Sequence, residues 1–191
     1  LMIALVCLLS VSAISAADTN NIDDVVAVAD AGTFDALQEK ITNATSGSTI
    51  YLENDYTQTG SNDIIIDKNL TIDGKGHLID AKGQSRIFNI GKEVSVTIKN
   101  INFINGKTNG VHGGAIYGTD YCNIEFINCT FDSNYAASAN GGAIYIDKKG
   151  NLKVTDCTFY NNTAYNGQGG AIYNSAGSYL DVSNSIFTNN Y

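Results

Sequence analysis

The sequence is poor in the basic side chains that nucleic acids and anionic surfaces require. Lysine and arginine number 11 against 19 aspartate and glutamate residues, and the formal net charge is −8. Arg86 is the single arginine, so a cluster of guanidinium groups is excluded. Binding to a nucleic acid or an anionic membrane needs a basic face. The composition therefore argues against a nucleic-acid partner. Proline and tryptophan are also absent.

Metal-ligand patterns are missing as well. The four cysteines are Cys7, Cys122, Cys129 and Cys157. None forms a C-x-x-C pair, and His77 and His112 lie far from them along the chain. This spacing does not fit a zinc site. We therefore predict neither a metal nor a cofactor.

The N-terminal segment 1–17 is apolar and ends in the small residues Ser15, Ala16 and Ala17. This pattern is typical of the core and cleavage region of a secretory signal peptide, although the charged start is missing. The run is too short for a comfortable membrane span, and a short N-terminal anchor is the alternative to a cleaved signal peptide. Residues 18–32 are acidic and irregular and are predicted to form a linker. Export would remove Cys7.

The pentapeptide Gly-Gly-Ala-Ile-Tyr occurs three times, at 113–117, 141–145 and 169–173, which sets a 28-residue period. Three further columns follow the same period: Phe103, Phe131, Phe159 and Phe187; Asn100, Asn128, Asp156 and Asn184; Val96, Ile124, Leu152 and Leu180. A fixed period of this length is the signature of a stacked array.

One helix is predicted, over residues 33–47. Phe34, Leu37 and Ile41 form an apolar stripe, Thr33 suits the N-cap, and Gly47 is expected to end the element. A helix with one apolar stripe could cover the open end of a β-stack. No second helical pattern follows residue 48, so βαβ units are excluded.

From residue 48 onward, short alternating strands are separated by Gly, Asn and Asp. Each 28-residue unit carries three strand signals and three polar corners. Stacking such units pairs each strand with its copy in the next unit, in parallel. The predicted fold is all-β: a right-handed parallel β-helix of about 28-residue coils with three strands each, over residues 48–191. The hand follows the strong preference of parallel crossovers.

Side-chain parity assigns the columns to the inside or the outside of this helix. Ile116, Ile144 and Ile172 are expected inside, as are Phe131 and Cys129. Ala115, Ala143 and Ala171 are expected to point outward, together with Tyr117, Tyr145 and Tyr173. The column of Asn100 and its copies is expected at a corner, in left-handed backbone.

A family resemblance rests on these motifs. Gly-Gly-Ala-Ile-Tyr, followed about half a period later by Asn/Asp-Cys-Thr-Phe, resembles the repeats of chlamydial polymorphic outer-membrane proteins. The opening at Phe34-Asp-Ala-Leu and at 70–80, Leu-Thr-Ile-Asp-Gly-Lys-Gly-His-Leu-Ile-Asp, is similar to adhesin-like surface proteins of methanogenic archaea. Both belong to the pectin-lyase-like β-helix superfamily. The resemblance covers about residues 33–191.

The resemblance implies a secreted, surface-displayed rod that contacts polysaccharide or a protein of a partner cell. The period places the next Gly-Gly at 197, beyond Tyr191, so the last coil is expected to be incomplete and the chain to be a fragment. Any membrane attachment would then lie in the missing C-terminal region. Tyr117, Tyr145 and Tyr173 are the candidate ligand contacts, as an aromatic stripe that suits sugar rings. The alternative is that they only stabilise the sheet.

A second hypothesis is a polysaccharide lyase or glycoside hydrolase on the same fold. Asp73 and Asp80 with Lys75 and Arg86 come nearest to a lyase site, but they flank what looks like an ordinary turn. The remaining aspartates are scattered over different columns, so we predict no catalytic residue. The glycosylation pattern Asn-x-Ser/Thr occurs at Asn43, Asn69, Asn128 and Asn161. Cys129 and Cys157 are expected to form a reduced buried pair, with a disulfide as the alternative.

Overall fold

The computed structural model describes residues 31–191. The predicted signal peptide, residues 1–17, and most of the predicted linker lie outside this part of the chain. The described residues contain one helix, α1 (Phe34–Asn43). The strands are β1 (Thr49–Tyr51), β2 (Tyr56–Thr57), β3 (Ile64–Ile66), β4 (Leu70–Asp73), β5 (Leu78–Asp80), β6 (Phe88–Ile90), β7 (Ser95–Lys99), β8 (Asn102–Ile104), β9 (Lys107–Asn109), β10 (Ile116–Gly118), β11 (Asn123–Ile127), β12 (Thr130–Asp132), β13 (Tyr135–Ala137), β14 (Ile144–Ile146), β15 (Asn151–Thr155), β16 (Thr158–Tyr160), β17 (Thr163–Tyr165), β18 (Ile172–Asn174), β19 (Tyr179–Ser183) and β20 (Ile186–Thr188).

The strands form parallel sheets stacked as a β-solenoid, which confirms the predicted fold class. Sheet 1 has the order β1-β4-β7-β11-β15-β19, and sheet 2 the order β3-β6-β10-β14-β18. Sheet 3 has the order β2-β5-β8-β12-β16-β20. Each strand pairs with its copies in the neighbouring coils, so the sheets run along the axis of the stack.

The coils grow longer along the chain. In sheet 1, Ile50 pairs with Ile72 and Ile72 pairs with Ile98, so the first coil is shorter than the second. Ile98 then pairs with Phe126, which establishes the full 28-residue repeat, and this repeat continues to the end of the stack. The 28-residue repeat in the sequence therefore corresponds to the later coils, and the first two coils are shorter.

The added residues build a fourth sheet that the sequence pattern did not predict. Sheet 4 has the order β9-β13-β17, and Lys107, Tyr135 and Thr163 are neighbours in it. Its inward side chains are only Thr108, Ala136 and Ala164, all buried. Because these residues are small or polar, the strands lack the apolar alternation from which strands are recognised.

Columns of identical side chains fill the interior. Phe103, Phe131 and Phe159 are fully buried, and their rings stack at centroid distances of 4.9 and 4.7 Å. Phe187 continues the column at 4.6 Å from Phe159. Parallel pairing in register places like rings one strand spacing apart, which allows this stacking. The predicted inward positions of Ile116, Ile144 and the phenylalanine column are confirmed.

The expectation that Ala115, Ala143 and Ala171 point outward is wrong. Ala115 and Ala143 are 0 % exposed, and Ala171 is 7 % exposed. Strands β10, β14 and β18 begin one residue later, at the isoleucine, so the alanines belong to the corner. Strand parity does not extend across a bend, and the corner turns each methyl group into the core.

The Gly-Gly pair makes this corner. Gly141 has φ +73°, a left-handed conformation that glycine adopts without cost. A Cβ added at Gly142 would lie 2.0 Å from the carbonyl oxygen of Gly170 in the next coil. The pair therefore provides both the turn and the close approach between coils.

Two asparagine columns connect successive coils. The predicted corner column is confirmed: Asn100, Asn128, Asp156 and Asn184 have φ between 49° and 56°. In it, Nδ2 of Asn128 donates to Oδ1 of Asn100 at 2.8 Å. A second column, Asn134, Asn162 and Asn190, lies inside the solenoid, where the first two are 0 % exposed. This buried column was not predicted.

Helix α1 covers the first strand of sheet 2. Phe34, Leu37 and Ile41 are buried, and Thr33 caps the N-terminus by accepting a hydrogen bond from the backbone of Ala36 at 3.2 Å. The helix ends at Asn43 rather than near Gly47, because Ala44 adopts an extended conformation and a turn follows.

Gln38 extends the protection of the sheet edge. Its Oε1 accepts from the backbone N–H of Ile65 at 2.6 Å, and its Nε2 donates to the carbonyl of Ile65 at 3.2 Å. The side chain thus occupies the place of a missing neighbour strand.

The three cysteines of the described region are buried free thiols, in keeping with the expectation for Cys129 and Cys157. Burial raises the pKa of Cys122 to about 12 and that of Cys129 well above its ordinary value. Between residues 31 and 191, no helix combines the length and the apolar character needed to cross a bilayer.

Candidate functional site

The three predicted contact tyrosines form one column on the outside of sheet 2. Tyr117 and Tyr145 are stacked at 5.5 Å between ring centroids, and Tyr145 and Tyr173 at 5.2 Å, with interplanar angles of 12° and 5°. The parallel register pairs these residues directly, so the spacing of the strands sets the spacing of the rings.

The ring faces within the column are covered. The imidazole of His112 stacks on Tyr145 at 4.2 Å, and Tyr145 is only 7 % exposed. At the Tyr117 end of the column, the guanidinium of Arg86 lies 5.1 Å from the ring centroid of Tyr117. A sugar ring binds to an aromatic residue through the ring face, so Tyr117 and Tyr145 present mainly ring edges and hydroxyl groups.

The hydroxyl groups are held by the protein. The hydroxyl of Tyr117 donates to Oδ2 of Asp147 at 2.8 Å. Burial, followed by this hydrogen bond to a carboxylate, raises the pKa of Tyr117 well above its ordinary value. Burial likewise raises the pKa of Tyr145. Both hydroxyls therefore stay protonated over the physiological range, and the proton of Tyr117 is engaged by Asp147.

Arg86 anchors the base of the column. Its side chain is buried and forms an ion pair with Asp63, with 2.6 Å between Nη1 and Oδ2. It also donates to the carbonyls of Gly113 and His112 at 2.9 and 2.6 Å. Because all its strong contacts are internal, Arg86 fixes the glycine corner of the first full-length coil.

A long groove runs over the outer face of sheet 1, with a volume of about 570 Å³. Its lining includes the column Asn69, Ser95, Asn123, Asn151 and Tyr179 and the column Thr71, Thr97, Glu125, Lys153 and Asp181. These residues come from successive strands at equivalent positions, so the groove follows the axis of the stack.

Polar side chains of neighbouring strands bond to one another in the groove, and apolar residues complete its lining: Leu70, Val96, Ile124 and Leu152. Nδ2 of Asn151 donates to Oδ1 of Asn123 at 2.7 Å, and Lys153 pairs with Glu125 at 2.9 Å. Amides, hydroxyls and an ion pair offer both donors and acceptors to a polar chain lying in the groove. A sequence scan for apolar columns does not identify it, because it is formed by the variable outward positions.

The residues named for a lyase do not converge. Asp73 lies in β4 of sheet 1 and Asp80 in β5 of sheet 3. Lys75 pairs with Glu53 at 2.9 Å, and Arg86 is buried against Asp63. Within residues 31–191 no group of three or more His, Cys, Asp or Glu side chains could hold a metal ion.

Asp73 and Asp80 each accept hydrogen bonds from the turn that follows them. Asp80 accepts hydrogen bonds from the backbone of Lys82 at 2.8 Å and from Nδ2 of Asn105 at 2.9 Å. Burial opposes the charge of Asp80, but these hydrogen bonds and the Lys82 ammonium outweigh it and lower the pKa of the carboxyl. Asp73 has a lowered pKa for similar reasons, with Asn100 as the main donor.

The four glycosylation sequons are exposed but differ in their contacts. Nδ2 of Asn128 donates to Asn100, and Oδ1 of Asn69 accepts from the backbone of Ser95 at 2.8 Å. The side chains of Asn43 and Asn161 make no hydrogen bond to the described part of the chain. Their glycosylation stays a prediction.

One family model matches the chain. The Chlamydia polymorphic membrane protein repeat matches residues 128–147 and 156–175. Each segment begins at a left-handed corner residue, Asn128 or Asp156, and ends one residue after a strand of sheet 2, β14 or β18. The two matches are offset by one coil and together cover about a fifth of the chain. They relate this solenoid to the repeats of surface-exposed membrane proteins.

No curated protein matches the chain. No solved structure matches it either.

Proposed function

We propose that this chain is a secreted, adhesin-like surface module whose β-solenoid contacts polysaccharide or a partner cell without catalysing a reaction. The observation that carries the proposal is the match of two successive coils to the polymorphic membrane protein repeat, in the register in which the coils stack. Pectin-lyase-like ancestry and a relationship to archaeal adhesin-like proteins belong to the same proposal.

The groove of sheet 1 is the contact surface that the geometry favours. It is open along the stack and is lined by side chains that can both donate and accept. The tyrosine column is the second candidate surface, acting through hydroxyl groups and ring edges at Tyr117 and Tyr145, because the faces of these two rings are covered. The carboxylates and lysine of the lyase hypothesis have no part in the proposal, since they pair locally on different sheets.

Two measurements test the role. Antibodies against the chain should label intact cells of the source organism without permeabilisation. Labelled full-length protein should also bind to whole cells or to a panel of extracted polysaccharides. Labelling only after permeabilisation, or the absence of binding to every surface tested, would contradict the proposal.

Variants then separate the two surfaces. Lys153→Glu reverses one charge of the groove and should weaken binding, whereas Lys149→Glu makes the same change outside it and should not. Replacing Tyr117, Tyr145 and Tyr173 by phenylalanine keeps the stacked rings but removes the hydroxyls. If only this triple variant loses binding, the column is the contact surface and the assignment to the groove is wrong.

A further inference from the structure

The residue before each Gly-Gly pair forms a hydrogen-bonded column along the stack. One period separates these three residues, which are His112, Asn140 and Gln168. The backbone N–H of Gln168 donates to Oδ1 of Asn140 at 2.9 Å, and the backbone N–H of Asn140 donates to Nδ1 of His112 at 3.0 Å. Each side chain thus accepts the N–H of its copy in the next coil, and in one of the two bonds the acceptor is an imidazole.

The two acceptors differ in their response to protons. The amide oxygen of Asn140 accepts a hydrogen bond at any pH, whereas an imidazole nitrogen accepts only while it carries no hydrogen. The bond from Asn140 therefore requires a neutral His112 ring with its hydrogen on Nε2. Protonation would place a hydrogen on Nδ1, so that two donors would face each other across the contact. Histidine side chains change charge between about pH 5 and 8.

The surroundings of His112 offer no compensation by a negative charge. Its ring lies flat on Tyr145, with 4.2 Å between centroids and 8° between planes. Its carbonyl accepts from Nη2 of Arg86 at 2.6 Å, and this guanidinium lies over Tyr117 and pairs with Asp63. The ionisable groups around the imidazole are thus two phenols and a cation whose carboxylate partner is already engaged. Among the described residues, no carboxylate forms an ion pair with His112.

Protonation changes three contacts of the ring. It removes the bond from Asn140 and leaves that N–H, which is partly buried, without an acceptor. It also places a second positive charge near the Arg86 guanidinium. The face of Tyr145 would attract the cation, but this attraction is modest where water reaches the ring, and leaving a donor unpaired costs more. The balance therefore favours release of the imidazole from the corner at low pH.

Release of His112 has two structural consequences. The ring covers part of Tyr145, which is only 7 % exposed, so its departure would uncover part of one face of that tyrosine. His112 also directly precedes Gly113, whose φ of +70° begins the first Gly-Gly corner. Loss of the contact with Asn140 would weaken the attachment of this corner to the next coil.

We propose that His112 is a pH-sensitive lock on the first Gly-Gly corner. In its neutral form the ring binds the backbone of Asn140 and covers Tyr145, and in its protonated form it releases both. The lock therefore stabilises the corner at neutral pH, and its contribution is lost as the pH falls through the range in which histidine gains its charge. The inference adds a regulatory device to the solenoid and does not depend on the proposed surface role.

Amide hydrogen exchange followed by NMR in the ¹⁵N-labelled full-length protein tests the lock. The chain supplies an internal control, because the amide of Gln168 makes the same bond to an acceptor that does not titrate. With intrinsic exchange rates taken into account, protection of the Asn140 amide should be about tenfold lower at pH 5 than at pH 8, the loss expected for one hydrogen bond. Protection of the Gln168 amide should stay the same.

A matched pair of variants assigns the effect to one side chain. His112→Asn introduces the residue that holds the equivalent position in the next coil, so it keeps an acceptor and removes the titration. Asn140 should then be protected equally at both pH values. His77→Asn is the control, because His77 is the other histidine of the chain and lies elsewhere, with Nδ1 at 3.0 Å from Oδ1 of Asp55. This variant should keep the pH dependence at Asn140.

Three results would overturn the inference. They are an equal response of the Asn140 and Gln168 amides to pH, a response of Asn140 that survives in His112→Asn, and imidazole ¹⁵N signals that show the hydrogen of the neutral His112 ring on Nδ1. The first and third measurements use the wild-type protein, so they decide the question even if His112→Asn does not fold. A response that is confined to Asn140 and disappears in His112→Asn would establish the lock.

Discussion

The buried asparagine column gives the sharpest prediction about stability. Oδ1 of Asn162 accepts from the backbone N–H of Asn134 at 3.1 Å and from its Nδ2 at 2.9 Å. Nδ2 of Asn162 donates to the carbonyl of Phe131 and to Oδ1 of Asn190, both at 2.9 Å. One side chain thus joins three successive coils through four hydrogen bonds, and it is fully buried.

Asn162→Ala removes all four bonds and leaves polar groups unpaired in the core. A typical hydrogen bond contributes about 1 kcal/mol net, so the four predict a loss of about 4 kcal/mol in the free energy of unfolding. The desolvated backbone N–H of Asn134 and carbonyl of Phe131, at about 1–3 kcal/mol each, lead to a similar value. This is a large fraction of the stability of an ordinary domain.

The control is Asn151→Ala, the same substitution in an exposed asparagine column on the outer face of sheet 1. Asn151 makes one side-chain bond, to Asn123 at 2.7 Å, and its loss should cost about 0.5 kcal/mol or less. Urea unfolding followed by circular dichroism measures both variants, with hydrogen exchange at the amide of Asn134 as a local probe. Equal, small losses in the two variants would refute the reasoning that burial makes this column strong.

Three further predictions concern the core, the pH dependence and the sheet edge. Ile144→Asp places a charge in a fully buried position and should unfold the solenoid. Ile172→Asp lies in the half-buried last strand of sheet 2 and should only fray that end. Equal loss of cooperativity of the two variants in urea would count against a linear stack. Asp80 has a lowered pKa in the folded state, so its contribution is present above its unfolded pKa of about 3.9 and is lost as the pH falls through the folded value. Asp80→Asn should therefore be less stable than the wild type at pH 7 by roughly 1–2 kcal/mol, and acid titration of both should show the gap closing at low pH. Gln38→Ala should expose the backbone of Ile65 and speed its amide exchange; light scattering would show any rise in association, and unchanged exchange would rule out the edge-covering role.

Much of the fold was predictable because the period of a stacked repeat shows which residues are in contact. Positions one period apart in the sequence are neighbours in space, so a column of Phe or Ile identifies both a strand and its partner. The left-handed corner of Asn128 followed from the same argument. The buried column of Asn134 and Asn162 obeys the identical period, and reading polar columns as carefully as apolar ones would have found it.

The rest could not be read from periodicity. The alanines were misplaced because parity was continued through a bend, where the two-residue alternation of a strand no longer holds. Sheet 4 was missed because Ala136 and Ala164 are too small to give an apolar signal. The two shorter first coils lie outside the exact repeat, and their lengths follow from the pairing of Ile50 with Ile72 and of Ile72 with Ile98.

The candidate site was harder to predict from the sequence than the fold. The outward direction of Tyr117, Tyr145 and Tyr173 was predicted from parity, but Tyr145 is only 7 % exposed, because the neighbouring tyrosines and His112 cover its ring. His112 and Arg86, which contact these rings, have no copies in the later coils. Such features arise from departures from the repeat, and each departure must be seen in three dimensions to be interpreted.

The parallel pairing between coils has a mechanical consequence for the solenoid under load. The backbone hydrogen bonds that join coils are directed along the axis of the stack. A load spread over the side of several coils is shared by all four sheets, so many bonds must break together. A load applied to the chain beyond β20 instead detaches the last strand first and then its neighbours in turn. The same solenoid therefore resists tension strongly when gripped along its flank and yields stepwise when pulled by that end.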